Sequence, residues 1–244
     1  MKKILAVFAV FFLGGGGVLM SADVEDTTLK AIFENFEKSS KNDSIKAGLS
    51  PRQIELSNLA AIIASGSVRL WQESVEKSEL KADEIMELLR QSTAYLGMAR
   101  IREFIFVTSE IYKRKGVKIT DFALESDENR LKNGQNLQIE LFGLATTDSM
   151  KGELTQIGKY LSQNCFGDYY TRVEILSLIE REIITFFLLA AQGDTSAQMK
   201  AHAKANFKMG LNKEKLIALI NANIALIGYP RSLNATAAVI EASK

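Results

Sequence analysis

Residues 177–220 read SLIEREIITFFLLAAQGDTSAQMKAHAKANFKMGLNKEKLIALI, and this stretch decides the fold class. Its apolar residues recur three and four positions apart, which is the period of packed helices and not of strands. Ser177 and Glu180 have the spacing of a helix-capping box. From Leu178 an almost uninterrupted apolar run continues to Gly193, where a glycine is suited to end a helix. The stretch therefore predicts a buried helix followed by further helices.

The rest of the chain allows the same structure throughout. The only prolines, Pro51 and Pro230, stand where a helix would begin, and a missing backbone N–H costs least there. The sequence therefore predicts an all-α chain.

Two parts of the chain match each other at a nearly constant spacing. With an offset of 127 residues, the following pairs coincide: Leu49 with Leu176, Ser50 with Ser177, Glu55 with Glu182, and Gly66 with Gly193. Further on the offset is 131, and it pairs Leu80 with Leu211, Gly97 with Gly228, and Arg100 with Arg231. Because a cap, charges and terminators coincide as well as apolar residues, we predict two tandem helical units.

The repeat and the composition divide the chain into four parts. Residues 1–22 form a leader, 23–116 a first unit, 117–145 a connection rich in Asp, Asn, Gly and Gln, and 146–244 a second unit.

The leader has the features of a secretory signal peptide. Lys2 and Lys3 precede an apolar run from Ile4, and small residues end the segment at Ala22. Its length is close to that of a membrane span, so an uncleaved anchor is the alternative. We expect cleavage, export to the periplasm or the medium, and no stable membrane anchor afterwards.

The composition excludes several classes of function. Removing residues 1–22 takes two lysines and no acid from 30 basic and 29 acidic residues, which leaves a net charge of −1 and no basic footprint for nucleic acid. Cys165 is the only cysteine and His202 the only histidine, so no intramolecular disulfide can form and a dedicated metal site is not expected.

Several segments resemble the carboxymuconolactone decarboxylases, relatives of the alkyl hydroperoxidase D group. They are FGDYYTR at 166–172, the stretch 177–220, and GYPRSLNA at 228–235, with looser matches in LSPRQIELSNLAAIIASG at 49–66 and YLGMARI at 95–101. The resemblance implies an all-α fold of short packed helices, and for a tandem chain it implies a homotrimer.

The resemblance implies two possible chemistries. The residues that one of them, the peroxidase chemistry, requires are absent from this sequence. Peroxidase members use a Cys-x-x-Cys pair, whereas residues 193–198 read GDTSAQ and contain no thiol. A single cysteine cannot complete a dithiol cycle. Decarboxylase members need no cofactor, and their site must bind a carboxylate, stabilise an enolate-like oxygen and deliver a proton to a small-molecule substrate.

His202 and Glu182 are the candidate catalytic residues. An imidazole is suited to general acid–base chemistry near neutral pH, although His202 could instead be a hydrogen-bonded core residue. Glu182 lies inside an apolar helix, where an unpartnered carboxylate is costly. It is expected either to orient His202 or to pair with an arginine, which would be Arg231 or, across an oligomer, Arg181.

Four further residues are candidates for substrate binding. Arg231 follows Pro230 at a helix start and could bind a carboxylate, although Arg100 in the first unit indicates a shared structural role. The other three are Asp168, Tyr170 and Arg172, which could line a pocket or form a capping turn.

The first unit is expected to be degenerate, because Trp71 or Val75 stands where the second unit has His202. Cys165 is expected to be buried and inert, the alternative being a reactive thiol. The leading hypothesis is therefore a cofactor-independent lyase or isomerase. The alternatives are a non-catalytic ligand-binding or assembly module on the same scaffold, and a peroxide-related role of Cys165 alone.

The leader yields a direct prediction. Expressed in a bacterial host with a secretory pathway, the protein should begin near Asp23 and leave the cytosol. N-terminal sequencing of the fractionated protein measures this, and an intact Met1 on cytosolic protein would contradict it.

Overall fold

The computed structural model describes residues 27–244. Every regular element in this range is a helix and no strand occurs in it, which confirms the all-α fold. The predicted signal peptide and its cleavage site lie outside the described residues.

Five helices make up the first half of the described chain. They are α1 (Thr27–Lys46), α2 (Pro51–Ser65), α3 (Val68–Lys77), α4 (Ala82–Leu96) and α5 (Met98–Lys115).

The second half contains longer helices separated by short ones. They are α6 (Asp127–Phe142), α7 (Thr146–Ser149), a 3-10 turn (Gly152–Leu154), α8 (Thr155–Tyr160), a π-helix (Leu161–Phe166), α9 (Gly167–Tyr169), α10 (Leu178–Gln192), α11 (Ser196–Lys208), α12 (Lys213–Ala222), α13 (Ile224–Ile227) and α14 (Tyr229–Ala242).

Helix α6 lies within residues 117–145, which carry no sustained apolar period. Its ends explain why it forms nevertheless: the Ser126 side chain caps the first turn, Asp127 and Glu128 complement the helix dipole, and Gly143 ends it in the left-handed conformation. Only Gly134, Gln138 and Leu141 of α6 are buried, so too few apolar residues recur along this helix to give a periodic pattern in the sequence.

The caps predicted for the two longest apolar helices are present. Ser50 and Gln53 bond each other's backbone N–H at the start of α2, and the Glu180 carboxylate accepts the Ser177 backbone N–H at 2.8 Å at the start of α10. Gly66 and Gly193, at the ends of these helices, both have positive φ, which disfavours any other residue there.

The core is centred on the packing of α2 against α10. Every residue from Arg181 to Ala191 is buried, as are most of Ile54 to Ala64. One continuous apolar cluster contains residues of both helices and of α3, α4, α5, α11, α12 and α14. The two predicted units therefore share a single core. Each Leu, Ile or Phe in it contributes about 1.5–3 kcal/mol by leaving water.

Corresponding residues of the two predicted units occupy similar local settings. Gly97 has φ 77 and ψ 151 and Gly228 has φ 79 and ψ 161. Arg100 bonds the Ala64 carbonyl near the end of α2, and Arg231 lies beside Gly193 at the end of α10. These similarities support the repeat, which stays a prediction.

None of the helices in residues 27–244 combines the length and apolarity needed to cross a bilayer.

The crossing of α6 with the π-helix depends on the absence of a side chain at Gly134. A Cβ placed there would lie 1.7 Å from the Ser162 carbonyl oxygen and 2.8 Å from the Gly167 nitrogen. Backbone atoms cannot yield as a flexible side chain can, so the two segments can approach this closely only at a glycine.

Gly134→Ala should therefore destabilise the protein, although an alanine in an ordinary helix stabilises by up to about 1 kcal/mol relative to glycine. We expect a loss of about 1–3 kcal/mol in the free energy of unfolding, measured by denaturant titration. The neighbouring exposed change Asn133→Ala is the control and should stay within about 0.5 kcal/mol of the wild type. A Gly134→Ala protein as stable as the wild type would show that this crossing can move apart freely.

Candidate functional site

His202 on α11 and Glu182 on α10 form a buried pair. The Nδ1 atom of His202 lies 2.7 Å from Oε2 of Glu182, whose side chain is completely buried. The sequence pattern predicted that both residues lie on helices, and the packing of α10 against α11 brings the two side chains together. Of the two roles predicted for Glu182, this geometry agrees with orientation of His202, and Arg231 of the same chain does not pair with Glu182.

The two nitrogens of the His202 ring have different surroundings. Nδ1 faces Glu182, which favours the tautomer that carries the proton on Nδ1. The Nε2 atom makes no hydrogen bond with residues 27–244, and it is not among the fully buried polar atoms that lack a partner. Since 10% of the His202 side chain is exposed, Nε2 is the nitrogen that a bound molecule could reach.

The backbone around the pair is held by Asn206. Its amide group donates to the Glu182 carbonyl at 3.0 Å and to the His202 carbonyl at 2.8 Å, so one side chain joins α10 to α11. The Oε1 atom of Glu182 is buried and has no hydrogen-bond partner within the described part of the chain. A carboxylate in this position retains an acceptor that can take a proton or a further donor.

Aromatic rings from two other elements surround His202. Phe142, at the end of α6, lies edge-on to the imidazole with 5.2 Å between ring centroids, and Tyr95 of α4 lies edge-on at 6.1 Å. Tyr95 belongs to the predicted first unit, so that unit contributes a wall to the site of the second. The sequence did not reveal either ring as a neighbour of His202, because no local pattern links them to it.

Tyr170 and Cys165 join a chain of buried hydroxyl and thiol groups beside the pair. The Tyr95 and Tyr170 hydroxyls are 3.2 Å apart, Tyr170 also bonds Thr185, and Cys165 donates to the Tyr95 hydroxyl at 3.7 Å. Burial raises the pKa of Tyr95 and of Tyr170 well above the ordinary value, so both remain protonated donors at neutral pH. Of the four predicted binding residues, Tyr170 is therefore the one that these contacts connect to His202, by way of Tyr95.

Arg172 is engaged in a structural ion pair. Its Nε and Nη2 atoms donate to the two carboxylate oxygens of Glu87 at 2.5 and 2.7 Å, and its guanidinium lies over the Phe122 ring at 4.7 Å. Glu87 is fully buried on α4, between the apolar residues Met86 and Leu88. A charge inside an apolar stretch was the sequence signal that could have revealed this partner.

Arg181 anchors the segment that leads into α10. Fully buried, it donates to the carbonyls of Tyr169, Arg172 and Leu176 and to the Gln91 side chain. Burial lowers its pKa to about 10, although the nearby Glu87 carboxylate acts in the opposite direction. It therefore remains charged at neutral pH and neutralises the Glu87 carboxylate together with Arg172.

Asp168 has a structural partner as well. Both of its carboxylate oxygens accept from Arg130 of α6, at 2.5 and 2.6 Å, and Asn164 donates to it at 2.8 Å. This contact ties α9 to α6 and leaves Asp168 less available to a ligand.

Arg231 lies away from the His202–Glu182 pair within one chain. Its exposed side chain is next to Gly193, which follows Glu182 by 11 residues on α10, or roughly 16 Å at about 1.5 Å per helical residue. The structure therefore brings together His202, Glu182 and Tyr170, and leaves Arg231, Arg172 and Asp168 in other surroundings.

Across residues 27–244, no three His, Cys, Asp or Glu side chains are grouped so that they could hold a metal ion.

An all-α scaffold with a buried His–Glu pair is the class of protein that these features define. Residues 155–241, which run from α8 into α14 and contain both members of the pair, match the model of the Carboxymuconolactone decarboxylase family. The match supports membership of that family for this part of the chain, and the predicted first unit lies outside the matched residues. A search of the curated proteins found no match.

Cys165 should be unreactive in the folded protein. Burial raises its pKa to about 12, so roughly one thiol in 10,000 is ionised at about pH 8, and the thiolate is the form that attacks. We expect a disulfide reagent to label Cys165 slowly under native conditions and rapidly after unfolding in denaturant. Labelling at equal rates in the two states would contradict the burial and the raised pKa together.

Proposed function

We propose that the chain is a cofactor-independent lyase or isomerase that acts on a small carboxylated or lactone-like compound, with His202 as general acid and base. The observation that carries the proposal is the 2.7 Å contact between Nδ1 of His202 and the buried Glu182 carboxylate, combined with the open Nε2 atom. The match of residues 155–241 to the Carboxymuconolactone decarboxylase family supports the reaction class.

The proposed chemistry moves one proton at Nε2. In the neutral ring, Nδ1–H donates to Glu182 and the Nε2 lone pair can take a proton from a carbon next to a carbonyl. The Glu182 carboxylate then stabilises the imidazolium that forms. When carbon dioxide leaves instead, its bonding electrons pass toward the substrate carbonyl, and a protonated Nε2 returns a proton to the resulting carbanion.

The protonated Tyr95 and Tyr170 hydroxyls would stabilise, as hydrogen-bond donors, the negative charge that develops on the substrate oxygen. Tyr170 is fully buried and Tyr95 is half-buried, and hydrogen-bond donors held in a water-poor environment stabilise an oxyanion more strongly than they would in water. Tyr95 is the one of the two whose ring faces the imidazole.

A second candidate function is a non-catalytic ligand-binding module on the same scaffold. The observation in its favour is that neither arginine predicted to bind substrate contacts the pair, since Arg172 is bound to Glu87 and Arg231 lies beside Gly193. A decarboxylase of this type needs a partner for its substrate's carboxylate. A peroxide-related role of Cys165 alone has less support, because burial raises its pKa to about 12.

We further propose that the chain is exported and assembles as a homotrimer. The exposed apolar stripe formed by Leu154, Ile157 and Tyr160, each more than half exposed and three positions apart, supports burial against another chain. The trimer itself follows from the family resemblance, and the export from the leader.

If the proposal is correct, activity depends on His202. With a substrate found by screening lactones and unsaturated carboxylates, His202→Gln should lower kcat by about 100- to 10,000-fold, because it removes the proton-transferring group and keeps much of its size. The exposed change Lys204→Gln on the same helix is the control and should leave kcat unchanged.

Melting temperatures measured on both variants separate catalysis from folding. A stable His202→Gln protein with wild-type turnover would remove His202 from the mechanism. If His202→Gln fails to fold, Glu182→Gln serves in its place, since it should lower kcat while keeping a hydrogen-bonding group beside the ring.

A further inference from the structure

A groove of about 780 Å³ lies between α1, α2 and α3, away from the His202–Glu182 pair. Its volume is within the range of small-molecule sites. Helix α1 forms one wall, and α1 buries only Ser40 and Ser44, so it leaves a gap over α2 instead of sealing it. The groove is therefore an open feature of the first half of the chain.

The floor of the groove is apolar. Ile54, Leu59 and Ile62 of α2 line it and are themselves buried, and Leu70 and Leu226 contribute further apolar surface. A ligand with a short hydrocarbon body would gain about 25 cal/mol for each Å² of apolar surface that leaves water.

Two residues of α2 that line the groove, Asn58 and Glu55, each have an acceptor oxygen without a donor from the described residues. The Oδ1 atom of Asn58 is buried and has no partner within residues 27–244. Glu55, three positions earlier and so on the same helix face, accepts the Ser78 hydroxyl at one carboxylate oxygen, and its other oxygen bonds no described residue. Acceptors without donors select a ligand that carries N–H groups.

Glu55 differs from Glu182 in the partners and the exposure of its carboxylate. Each glutamate lies five residues after the N-cap serine of its helix, Ser50 and Ser177. Glu182 is paired with a histidine and completely enclosed, whereas Glu55 has only a neutral hydroxyl partner and stays partly exposed. The carboxylate of the first half is therefore still available to a positive charge.

The charges around the groove favour the same kind of ligand. Five glutamates line it, namely Glu34, Glu37, Glu55, Glu73 and Glu79, against three lysines, and one of the five, Glu73, is paired with Arg69 at 3.2 Å. The excess of carboxylates attracts cations and repels anions.

We propose that this groove binds a small organic cation, with its hydrocarbon part on the apolar floor and its protonated amine between Glu55 and Asn58. The proposal is independent of the chemistry at His202, because the two sites have no residue in common.

Isothermal titration calorimetry of the full chain tests the proposal with n-hexylammonium as the probe. We expect saturable binding of one n-hexylammonium per chain that weakens as salt is added, and at least tenfold weaker binding of n-hexanol and n-hexanoate. Equal binding of hexanol or hexanoate would overturn the assignment of a cation site.

Variants locate the site. Glu55→Gln and Asn58→Leu should each weaken hexylammonium binding about tenfold or more, since the first removes the negative charge beside the ammonium group and the second removes an amide acceptor. Glu110→Gln, which removes an exposed carboxylate of α5 outside the groove, is the matched control and should bind as the wild type does. His202→Gln should also bind normally.

Amide chemical shifts of the wild-type protein keep the test decisive if a variant fails to fold. Hexylammonium should shift amides of α1, α2 and α3 and leave those around His202 unchanged. Shifts confined to other helices, or unaltered affinity in folded Glu55→Gln and Asn58→Leu proteins, would overturn the proposal.

Discussion

The packing of α2 against α10 is the interaction on which the rest of this structure depends. Both helices are buried on nearly all sides, so they form the centre of one core and the other long helices cover them. The capping residues Ser50 and Ser177 and the terminal glycines Gly66 and Gly193 satisfy backbone groups at the ends of these helices, which have no partner within the helix. The same burial favours a partner within the protein for the polar side chains of these helices.

The candidate site follows from that requirement. The buried part of α10 contains three polar side chains, Arg181, Glu182 and Thr185, and each of them bonds a different neighbour. Arg181 holds the backbone that leads into the helix, Thr185 bonds Tyr170 and Gln91, and Glu182 bonds His202. Their partners come from α4, α9 and α11, so the site exists only where these elements meet. The first half of the chain is thus part of the site through Tyr95.

The two central helices are covered differently. Over α10, the π-helix and α9 pack Cys165, Phe166 and Tyr170 into a small second core, with Leu141 of α6. A π-helix is rare, and it often marks a functional position because it shifts the side chains that follow it. Over α2, helix α1 buries only two serines and leaves a groove with an unpartnered amide oxygen. One half therefore encloses its glutamate with a histidine, and the other leaves its glutamate open.

The sequence by itself determined the all-α fold and the capped ends of α2 and α10, and it singled out His202 and Glu182 as candidates, because apolar period, caps and a charge within an apolar run are local features. It did not reveal α6, whose buried surface is small. Only the tertiary structure decided that His202 bonds Glu182, that Tyr95 joins them, and that Arg172 and Asp168 are occupied by Glu87 and Arg130. The physical reason is that a side chain's partner depends on which helix faces cross, and these crossings join residues as far apart in the chain as Tyr95 and His202.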